Sequence, residues 1–491
     1  MRNTLLFTTI GGLGLLLLSG CAGDETKMSD GSATPVRTAE ATDAGTAADS
    51  AEFRSGKEGS TTTAATDEQE SSAPAAPPSF TFDLSSASLP EEAMWKCDPV
   101  FEDINEDGYL DLIAHPRLGT GPRVWLGDGA GGWLDSSAGL HMQFSCGGGI
   151  DVADLDGDGN LDLAIADHCN GLYVYFGDGG GNWEVGVEQV YPTDLVRQPD
   201  LVELHLGSED LRLGDVNGDG HLDMVAGSSD EGGINVYLGD GTGMNWERNS
   251  IGLPTTGWTN RVELADMDGD GRLDIIASYA DGPRVYRNMG DNRWEDASDG
   301  MPSPMIRGLF RGLSVEDMNK DGRLDIIVAN WVDGPEVYYQ EEDGSWAKSP
   351  DVFREMYGGA QGLDVADLDG DGWLDIVVTG RLERDGGFIR GVFALRNNDG
   401  DGTWEFIENS GLPTTGLAAM DGVCLGDVNN DGHPDVAAGS GLITETAKRA
   451  DAREEPILPQ HLLVWLYRPG AASSKAATAG SSAESDGPDV H

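Results

Sequence analysis

The chain has 491 residues, with 86 Asp and Glu against 31 Lys and Arg, for a formal net charge of −55. A field of that sign repels nucleic acid and anionic membrane surfaces, which argues against both as partners. The length admits several domains or one large repeat fold, and the 71 glycines suit turn-rich β structure.

At the N-terminus, Arg2 precedes an apolar run from Leu5 to Leu18. The run is short for a membrane span and reads as a signal peptide over residues 1–20. Leu18-Ser19-Gly20-Cys21 resembles the bacterial lipobox. That resemblance implies cleavage before Cys21 and a lipid on its thiol; an ordinary signal peptide is the alternative. The residue after the cysteine is Ala22 and not Asp, which under the sorting rule of many Gram-negative bacteria favours the outer membrane. The expected location is therefore the bacterial cell envelope, at the outer membrane or cell surface, with the lipid as the only membrane contact. Residues 21–79 are Ala, Thr, Ser, Gly, Asp and Glu with almost no large apolar side chain. They cannot bury enough surface to fold and read as a tether. Residues 470–491 read as a second such tail.

Between these segments, residues 80–469 are organised by one recurring stretch. Asp154-Leu155-Asp156-Gly157-Asp158-Gly159-Asn160-Leu161-Asp162 places four carboxylates in nine residues and runs into the apolar strand Leu163-Ala164-Ile165-Ala166. Copies begin at Asp103, Asp215, Asp266, Asp317, Asp367 and Asp427, at successive spacings of 51, 61, 51, 51, 50 and 60 residues. A long fixed period marks a repeat architecture. The unit around Asp266 shows the plan. Arg261-Val262-Glu263-Leu264 alternates as a first strand, the acidic loop follows, and Ile275-Ile276-Ala277-Ser278 forms a second. Asp281-Gly282-Pro283 turns, Arg284-Val285-Tyr286-Arg287 is a third strand, and Trp294 opens a fourth. Four short antiparallel strands repeated seven times predict an all-β, seven-bladed β-propeller with cation-binding loops. A closed ring also protects sheet edges that open sheets would expose.

The loop chemistry points to Ca²⁺, up to seven ions, because a hard cation takes about six to eight oxygens in a flexible shell. The candidate side-chain ligands occupy loop positions 1, 3, 5 and 9. They are Asp103, Asn105, Asp107 and Asp111; Asp154, Asp156, Asp158 and Asp162; Asp215, Asn217, Asp219 and Asp223; and Asp266, Asp268, Asp270 and Asp274. The last three loops offer Asp317, Asn319, Asp321 and Asp325; Asp367, Asp369, Asp371 and Asp375; and Asp427, Asn429, Asp431 and Asp435. Gly at position 6 allows the sharp turn. Position 7 would ligate through its carbonyl, so its side chain is free to vary: Tyr109, Asn160, His221, Arg272, Arg323, Trp373, His433. Position 12 is Ala, Ile or Val where an EF-hand needs a bidentate Glu. Affinity rises with ligand charge, so the three loops with Asp at position 3 are expected to bind most tightly.

Asp-x-[Asp/Asn]-x-Asp-Gly-x-x-Asp between two strands, followed by segments such as Val174-Tyr175-Phe176-Gly177-Asp178-Gly179, resembles the FG-GAP/VCBS repeat family. The resemblance covers about residues 80–469. It implies the calcium-bearing seven-bladed propeller also seen in integrin α chains, with the family's calcium ligands falling on the loop residues just named. Several positions depart from the pattern. The literal Phe-Gly…Gly-Ala-Pro signature is mostly absent, position 4 is Glu106, Lys320 or Asn430 in three loops, and Pro434 replaces the usual Leu.

The seventh repeat ends after its third strand, Val464-Trp465-Leu466-Tyr467, and no fourth follows. Phe80 to Pro90 resembles Trp246 to Pro254, so residues 80–84 are expected to close the last blade. Four cysteines remain beyond Cys21. Counting outward from the acidic loop places Cys146 nearly opposite Cys169, a candidate disulfide, with Cys97 as rival partner and free thiols as the alternative. A metal set of Cys146, His168 and Cys169 has no CxxC spacing to support it.

Strand counting puts the acidic loops and the three-to-four turns on one face, and the two-to-three loops and blade links on the other. The inserted stretches 186–206, 380–391 and 441–460 all fall opposite the acidic loops. So do Trp95, Trp258, Trp331, Tyr279, Tyr357, Arg197, Arg307, Arg311, Arg381, Arg384 and Arg390. Long loops on a rigid scaffold carry binding residues, and aromatics with Arg suit sugar rings or acidic groups. Trp258, Trp331 and Arg384 are the candidate ligand contacts. The expected function is a surface-tethered binding or adhesion module for a glycan or a surface or extracellular protein. The alternatives are a polysaccharide lyase or hydrolase and a purely structural envelope component. The sequence contains no Gly-x-Ser-x-Gly, His-Glu-x-x-His or phosphate loop, and its recognisable acids are mostly assigned to cations.

Overall fold

The computed structural model describes residues 80–470 apart from 92–94, 96–97, 118, 120, 143, 189, 191–206, 229–231, 280–281, 303–309, 351–358, 385–386, 415–416, 418–419 and 441–461. The leader, Cys21, the tether, the 471–491 tail, Cys97, Arg197, Arg307, Tyr357 and the insertion at 441–460 lie outside the described residues.

The described residues open with strand β1 (Phe80–Leu84). The first complete blade follows as β2 (Val100–Glu102), β3 (Asp111–Ala114), β4 (Arg123–Gly127) and β5 (Trp133–Asp135). The second is β6 (Ile150–Ala153), β7 (Asp162–Asp167), β8 (Gly171–Gly177) and β9 (Trp183–Glu188). The third is β10 (Ser208–Gly214), β11 (Asp223–Ser228), β12 (Ile234–Gly239) and β13 (Trp246–Arg248). The fourth is β14 (Thr259–Ala265), β15 (Asp274–Tyr279), β16 (Gly282–Asn288) and β17 (Trp294–Asp296). The fifth is β18 (Phe310–Glu316), β19 (Asp325–Asn330), β20 (Gly334–Gln340) and β21 (Trp346–Lys348). The sixth is β22 (Ala360–Ala366), β23 (Asp375–Arg384), β24 (Gly387–Asn397) and β25 (Trp404–Phe406). The seventh begins with β26 (Met420–Gly426), β27 (Asp435–Ser440) and β28 (Leu462–Pro469).

Each set forms a four-stranded antiparallel sheet, and the seventh is completed by β1, in the order β1-β28-β27-β26. The expected closure is therefore present, with Phe82 opposite Tyr467 and Leu84 opposite Trp465. Phe80 stacks on the Tyr467 ring at 5.4 Å, and Phe82 meets the same ring edge-on at 5.8 Å. Ser86 Oγ accepts from Val464 N at 2.8 Å and tightens the return. Phe82 holds the place that Trp246 holds in the third blade: each pairs with the strand-three residue whose N–H bonds the buried loop Asp, Tyr467 and Gly239.

The second strand of a blade is apolar without alternation because both of its faces are covered. Asp162–Asp167 and Asp325–Asn330 are buried throughout. Seven apolar clusters result, one between each pair of neighbouring blades. One joins Ile113 and Val124 of the first blade to Leu163, Ile165 and Trp183 of the second. Another joins Trp125 and Trp133 of the first to Val464 and Leu466 of the seventh, which closes the ring. Some strand-four tryptophans also reach back one blade through the indole N–H. Trp183 Nε1 donates to Ser136 O at 3.0 Å, and Trp346 Nε1 donates to Ala297 O at 3.0 Å.

Three local expectations change. Residues 380–391 are not a loop: β23 and β24 extend as a paired hairpin, with Gly380 opposite Gly391 and Arg384 opposite Gly387. Gly282 and Pro283 belong to strand β16 and not to a turn. Trp95 is not available to a ligand, because it is 3% exposed and packs on Trp125 at 5.4 Å between the seventh and first blades.

Candidate cation loops and the opposite face

All seven acidic loops share one hydrogen-bond pattern. The position-1 Asp accepts from the position-6 glycine N–H, as in Gly159 N to Asp154 Oδ2 at 3.0 Å and Gly432 N to Asp427 Oδ2 at 2.7 Å. The position-3 side chain accepts from the N–H of position 5, whether it is Asp156 or Asn217. The position-5 Asp accepts from the N–H of position 7, as Asp158 does from Asn160 at 2.8 Å. The turn needs a left-handed residue at position 6, and Gly159 supplies it at φ 94°. Each acceptor oxygen spends one lone pair on the backbone and keeps another for a cation.

Ligands about 2.4 Å from a shared Ca²⁺ lie within roughly 5 Å of one another. Carboxylate oxygens of Asp154, Asp156 and Asp162 fall within 4.8 Å of each other, as do those of Asp266, Asp268 and Asp274, and of Asp367, Asp369 and Asp371. The donor set is all oxygen, which fits a hard cation and not a thiolate- or imidazole-seeking metal.

The position-9 Asp also has a structural role that the sequence does not advertise. It is at most 1% exposed in every loop. One oxygen accepts from the N–H of loop position 2, and the other from a residue at or near the end of strand three. Asp162 accepts from Leu155 N at 2.8 Å and Gly177 N at 2.9 Å; Asp435 accepts from Val428 N at 3.0 Å and Tyr467 N at 2.7 Å. Burial pushes its carboxyl up, to about 6 for Asp162 and about 7 for Asp325, against those two backbone bonds. The carboxylates at positions 3 and 5 of Asp162's loop, and at positions 1 and 5 of Asp325's, add to the rise. A bound cation would relieve that crowding.

Arginines alter the expected charge ranking. Arg287 on β16 pairs with Asp268 at 2.8 Å, and Arg396 on β24 pairs with Asp369 at 2.6 Å. In two of the three loops with Asp at position 3, the extra carboxylate thus faces a guanidinium. Arg272 and Arg323, at position 7, pair with Asp270 and Asp321. Asp156 meets no arginine among the ion pairs of the described residues. The position-4 departures leave the turn intact. Glu106, Lys320 and Asn430 adopt φ values of 56°, 57° and 55° where other loops use glycine. Two of them touch the next blade's loop: Lys320 Nζ sits 3.9 Å over the Trp373 ring, and Asn430 Nδ2 donates to Gly108 O at 2.7 Å. Pro434 does not disturb the Asp435 bonds.

The inner strands carry a second polar system that sequence reasoning missed. Asp151, Asp210 and Asp364 each accept an N–H from the inner strand of the next blade: Leu213 at 2.7 Å, Val262 at 3.0 Å and Leu425 at 2.8 Å. Arg212 pairs with Glu263 at 2.6 Å, and Arg261 of the fourth blade pairs with Asp98 of the first. Burial drives the Asp364 carboxyl up to about 7, with Glu263 and Asp98 adding to the rise. The visible signal was an acid or arginine recurring in strand one, but its partner lies a blade or more away.

The Cys146–Cys169 disulfide is present, with Cα atoms 5.6 Å apart, which excludes Cys97 as partner and leaves no thiolates there for a metal. Between the two cysteines, Asp167 is fully buried. Burial opposes its ionisation, but bonds from His115 Nε2, Cys146 N and Cys169 N hold its pKa below the usual carboxylate range.

The face assignment follows the strand count. The three-to-four turns sit against the acidic loops: Gly241 lies beside the His221 ring, and Gly400 beside the Trp373 ring. On the other face, Trp258 is 36% exposed and its ring lies 6.0 Å from that of His168. His168 in turn pairs with Glu209. Trp331 is half-buried, with the guanidinium carbons of Arg381 and Arg311 at 4.6 and 5.4 Å from its ring centroid. Arg384 occupies the tip of the β23–β24 hairpin. Tyr279 bonds through its hydroxyl to Thr256 O and so holds the link that leads to Trp258.

Comparison with known proteins identifies the repeat. Residues 103–165, 215–277, 266–328, 317–378 and 388–438 match the FG-GAP-like repeat family, over more than half of the chain. Human cartilage acidic protein 1 is 33% identical over 81 residues, a match that spans 16% of this chain and 12% of that protein. A solved Agrocybe aegerita lectin that recognises non-reducing terminal N-acetylglucosamine aligns at 19% identity and a TM-score of 0.41. That alignment covers 65% of this chain and 84% of the lectin. With five matched repeats on a seven-bladed propeller, the chain belongs to the FG-GAP-like repeat family.

Proposed function

We propose that this protein is a calcium-stabilised binding module, whose ligand docks on the face away from the acidic loops. Ca²⁺, up to seven ions, would be held by the side chains at loop positions 1, 3, 5 and 9 and by the position-7 carbonyl. The observation that carries this reading is the common loop geometry: in all seven turns backbone N–H groups fix the side chains at positions 1, 3 and 5, as in the loop at Asp154, and in three of them carboxylate oxygens converge within 4.8 Å. The ion would neutralise three or four mutually repelling carboxylates and so stiffen the ring. The ligand would be a glycan or a surface or extracellular protein, with Trp258, Trp331 and Arg384 among its contacts. The exposure of Trp258 and the guanidiniums gathered at Trp331 support that face.

A glycan and surface-protein array, probed with and without calcium, tests the reading. Replacing Trp258, Trp331 and Arg384 by Ala is expected to abolish binding while calcium content and melting temperature stay unchanged. Binding that persists in that variant but requires the Asp240-Gly241 turn would place the ligand on the calcium face instead. The envelope location rests on the leader sequence alone: Cys21 would carry the lipid, with residues 22–79 as tether. Radiolabelled palmitate is expected to enter the wild type and not Cys21→Ser; equal labelling of both would remove the anchor.

A further inference from the structure

We propose that the fifth blade carries a self-forming amide crosslink, in which Lys348 Nζ joins the side-chain carbonyl carbon of Asn330 with loss of ammonia. Three side chains from three neighbouring strands meet there. Asn330 ends β19, Glu336 lies on β20 and Lys348 ends β21. Lys348 Nζ pairs with Glu336 Oε1 at 2.8 Å, and Asn330 Nδ2 donates to the same oxygen at 2.9 Å. A nucleophile and a leaving group thus share one proton acceptor. Asn330 is fully buried and Glu336 is 5% exposed, so the acyl carbon and the carboxylate are shielded from competing water.

The surrounding bonds suit acyl transfer as well as an ion pair. Asn330 Oδ1 accepts from Val332 N at 2.9 Å. That bond identifies which end of the carboxamide is oxygen, and it puts a donor where negative charge develops when the carbonyl is attacked. The buried Tyr338 hydroxyl donates to Glu336 Oε2 at 2.6 Å. Burial and the Glu336 charge push that hydroxyl up, so it stays a donor and holds Oε1 toward the two nitrogens. The first blade shows a plain pair at the same register. Arg123 and Asp135 take the places of Glu336 and Lys348, 3.8 Å apart and both partly in solvent. Pro116 takes the place of Asn330 and offers no side-chain carbonyl.

The step balances without an oxidant or a reductant. Lys348 enters as an ammonium ion and passes a proton to Glu336 Oε1. The free amine attacks Asn330 Cγ, and the carbonyl electron pair moves onto Oδ1 beside the Val332 N–H. Glu336 returns its proton to Nδ2 and the Cγ–Nδ2 bond breaks. The departing ammonia takes the second proton from Nζ. An alkylammonium and a carboxamide thereby become a secondary amide and an ammonium ion. The Lys348 side chain is 42% exposed, which leaves ammonia a way out. The reaction runs once per molecule, so a small fraction of neutral lysine limits only how fast the bond matures. The amide closes a ring across three strands and narrows the unfolded ensemble as a disulfide does.

Tryptic mapping of the full-length protein by mass spectrometry reads the bond directly. Trypsin cuts after Lys and Arg, so an unlinked chain releases residues 324–348, bounded by Arg323 and Lys348. An amide on Lys348 blocks that cut. The expected wild-type product is residues 324–354, lighter than its sequence mass by one ammonia, about 17 Da. Lys348→Arg keeps a positive charge for Glu336 but has no amine to acylate, so this segment is expected at its full sequence mass. Glu336→Gln is expected to leave Lys348 cleavable. Melting curves check that each variant folds, and if Glu336→Gln does not, the wild type and Lys348→Arg decide the matter. Wild-type protein cut after Lys348 at the unmodified mass overturns the proposal and leaves an ion pair. An ammonia loss that survives in Lys348→Arg also overturns it, because Asn330 would then react without the lysine. A crosslink that forms equally in Glu336→Gln overturns the role of Glu336 as proton carrier.

Discussion

At the scale of the residue, the decisive groups are carboxylates whose neighbours set their task. Asp364 is the clearest outside the acidic loops. Its carboxyl is raised to about 7 by burial, with Glu263 and Asp98 nearby, while Val365 N and Leu425 N donate to it. In the unfolded chain the same group titrates near about 3.9. A raised folded value means that its contribution to stability is fully present below the unfolded pKa and is lost as pH rises through about 7. Asp364→Asn cannot ionise, so its melting temperature relative to wild type should improve between about pH 4 and about pH 7 and level off above that. The expected change is about 1 kcal/mol, reduced from the full shift because solvent reaches part of the group. A difference that does not vary with pH would show that Asp364 is not ionising in that window. A second residue-scale prediction concerns calcium. The loop at Asp154 keeps its four carboxylates without an arginine partner among the described ion pairs, whereas Arg287 and Arg272 bear on the loop at Asp266. Calcium titrations of single-loop variants should rank the Asp154 loop above the Asp266 loop. Arg287→Ala should raise affinity at the latter, and no change would remove the charge argument. These loops were legible in the sequence because their ligands are consecutive. The arginines were not, since Arg287 and Asp268 meet only once the strand register is known.

At the scale of the element, two connections tie distant parts of the chain. Strand β1 supplies the fourth strand of the last blade and buries Phe80 and Phe82 against Tyr467. Deleting residues 80–90 should lower the melting temperature sharply, because it opens the ring and exposes the edge of β28. Phe82→Ala alone should cost about 3–5 kcal/mol. An unchanged melt of the deletion would mean that the ring closes without it. The Cys146–Cys169 bridge spans 23 residues, and replacing both by Ser should cost about 3 kcal/mol, read by denaturant unfolding. Closure was readable because Phe80 to Pro90 resembles Trp246 to Pro254. The sixth-blade hairpin was not, because glycines and charges near 380–391 look like a loop, although the strands pair through Arg384 and Gly387. Trp95 was misplaced for a related reason: its partner Trp125 lies 5.4 Å away on β4, a contact that no local pattern records.

At the scale of the whole molecule, seven equivalent sheets share seven apolar interfaces, and each interface joins one blade's second and third strands to its neighbour. The acidic loops mark one face of this ring. Backbone bonds hold their carboxylates close together, and under the proposed reading a bound cation would neutralise them and be thermodynamically linked to the fold. Scanning calorimetry of the full-length protein, saturated with calcium and again after chelation, tests that link most directly. A ligand at about a hundred times its dissociation constant adds about 2.7 kcal/mol per site. Occupancy of even a few loops therefore predicts a fall in melting temperature of more than about 10 °C on chelation, reversed by restoring calcium. Melting temperatures that agree within about a degree in the two states would contradict the claim that the loops are cation sites bracing the ring.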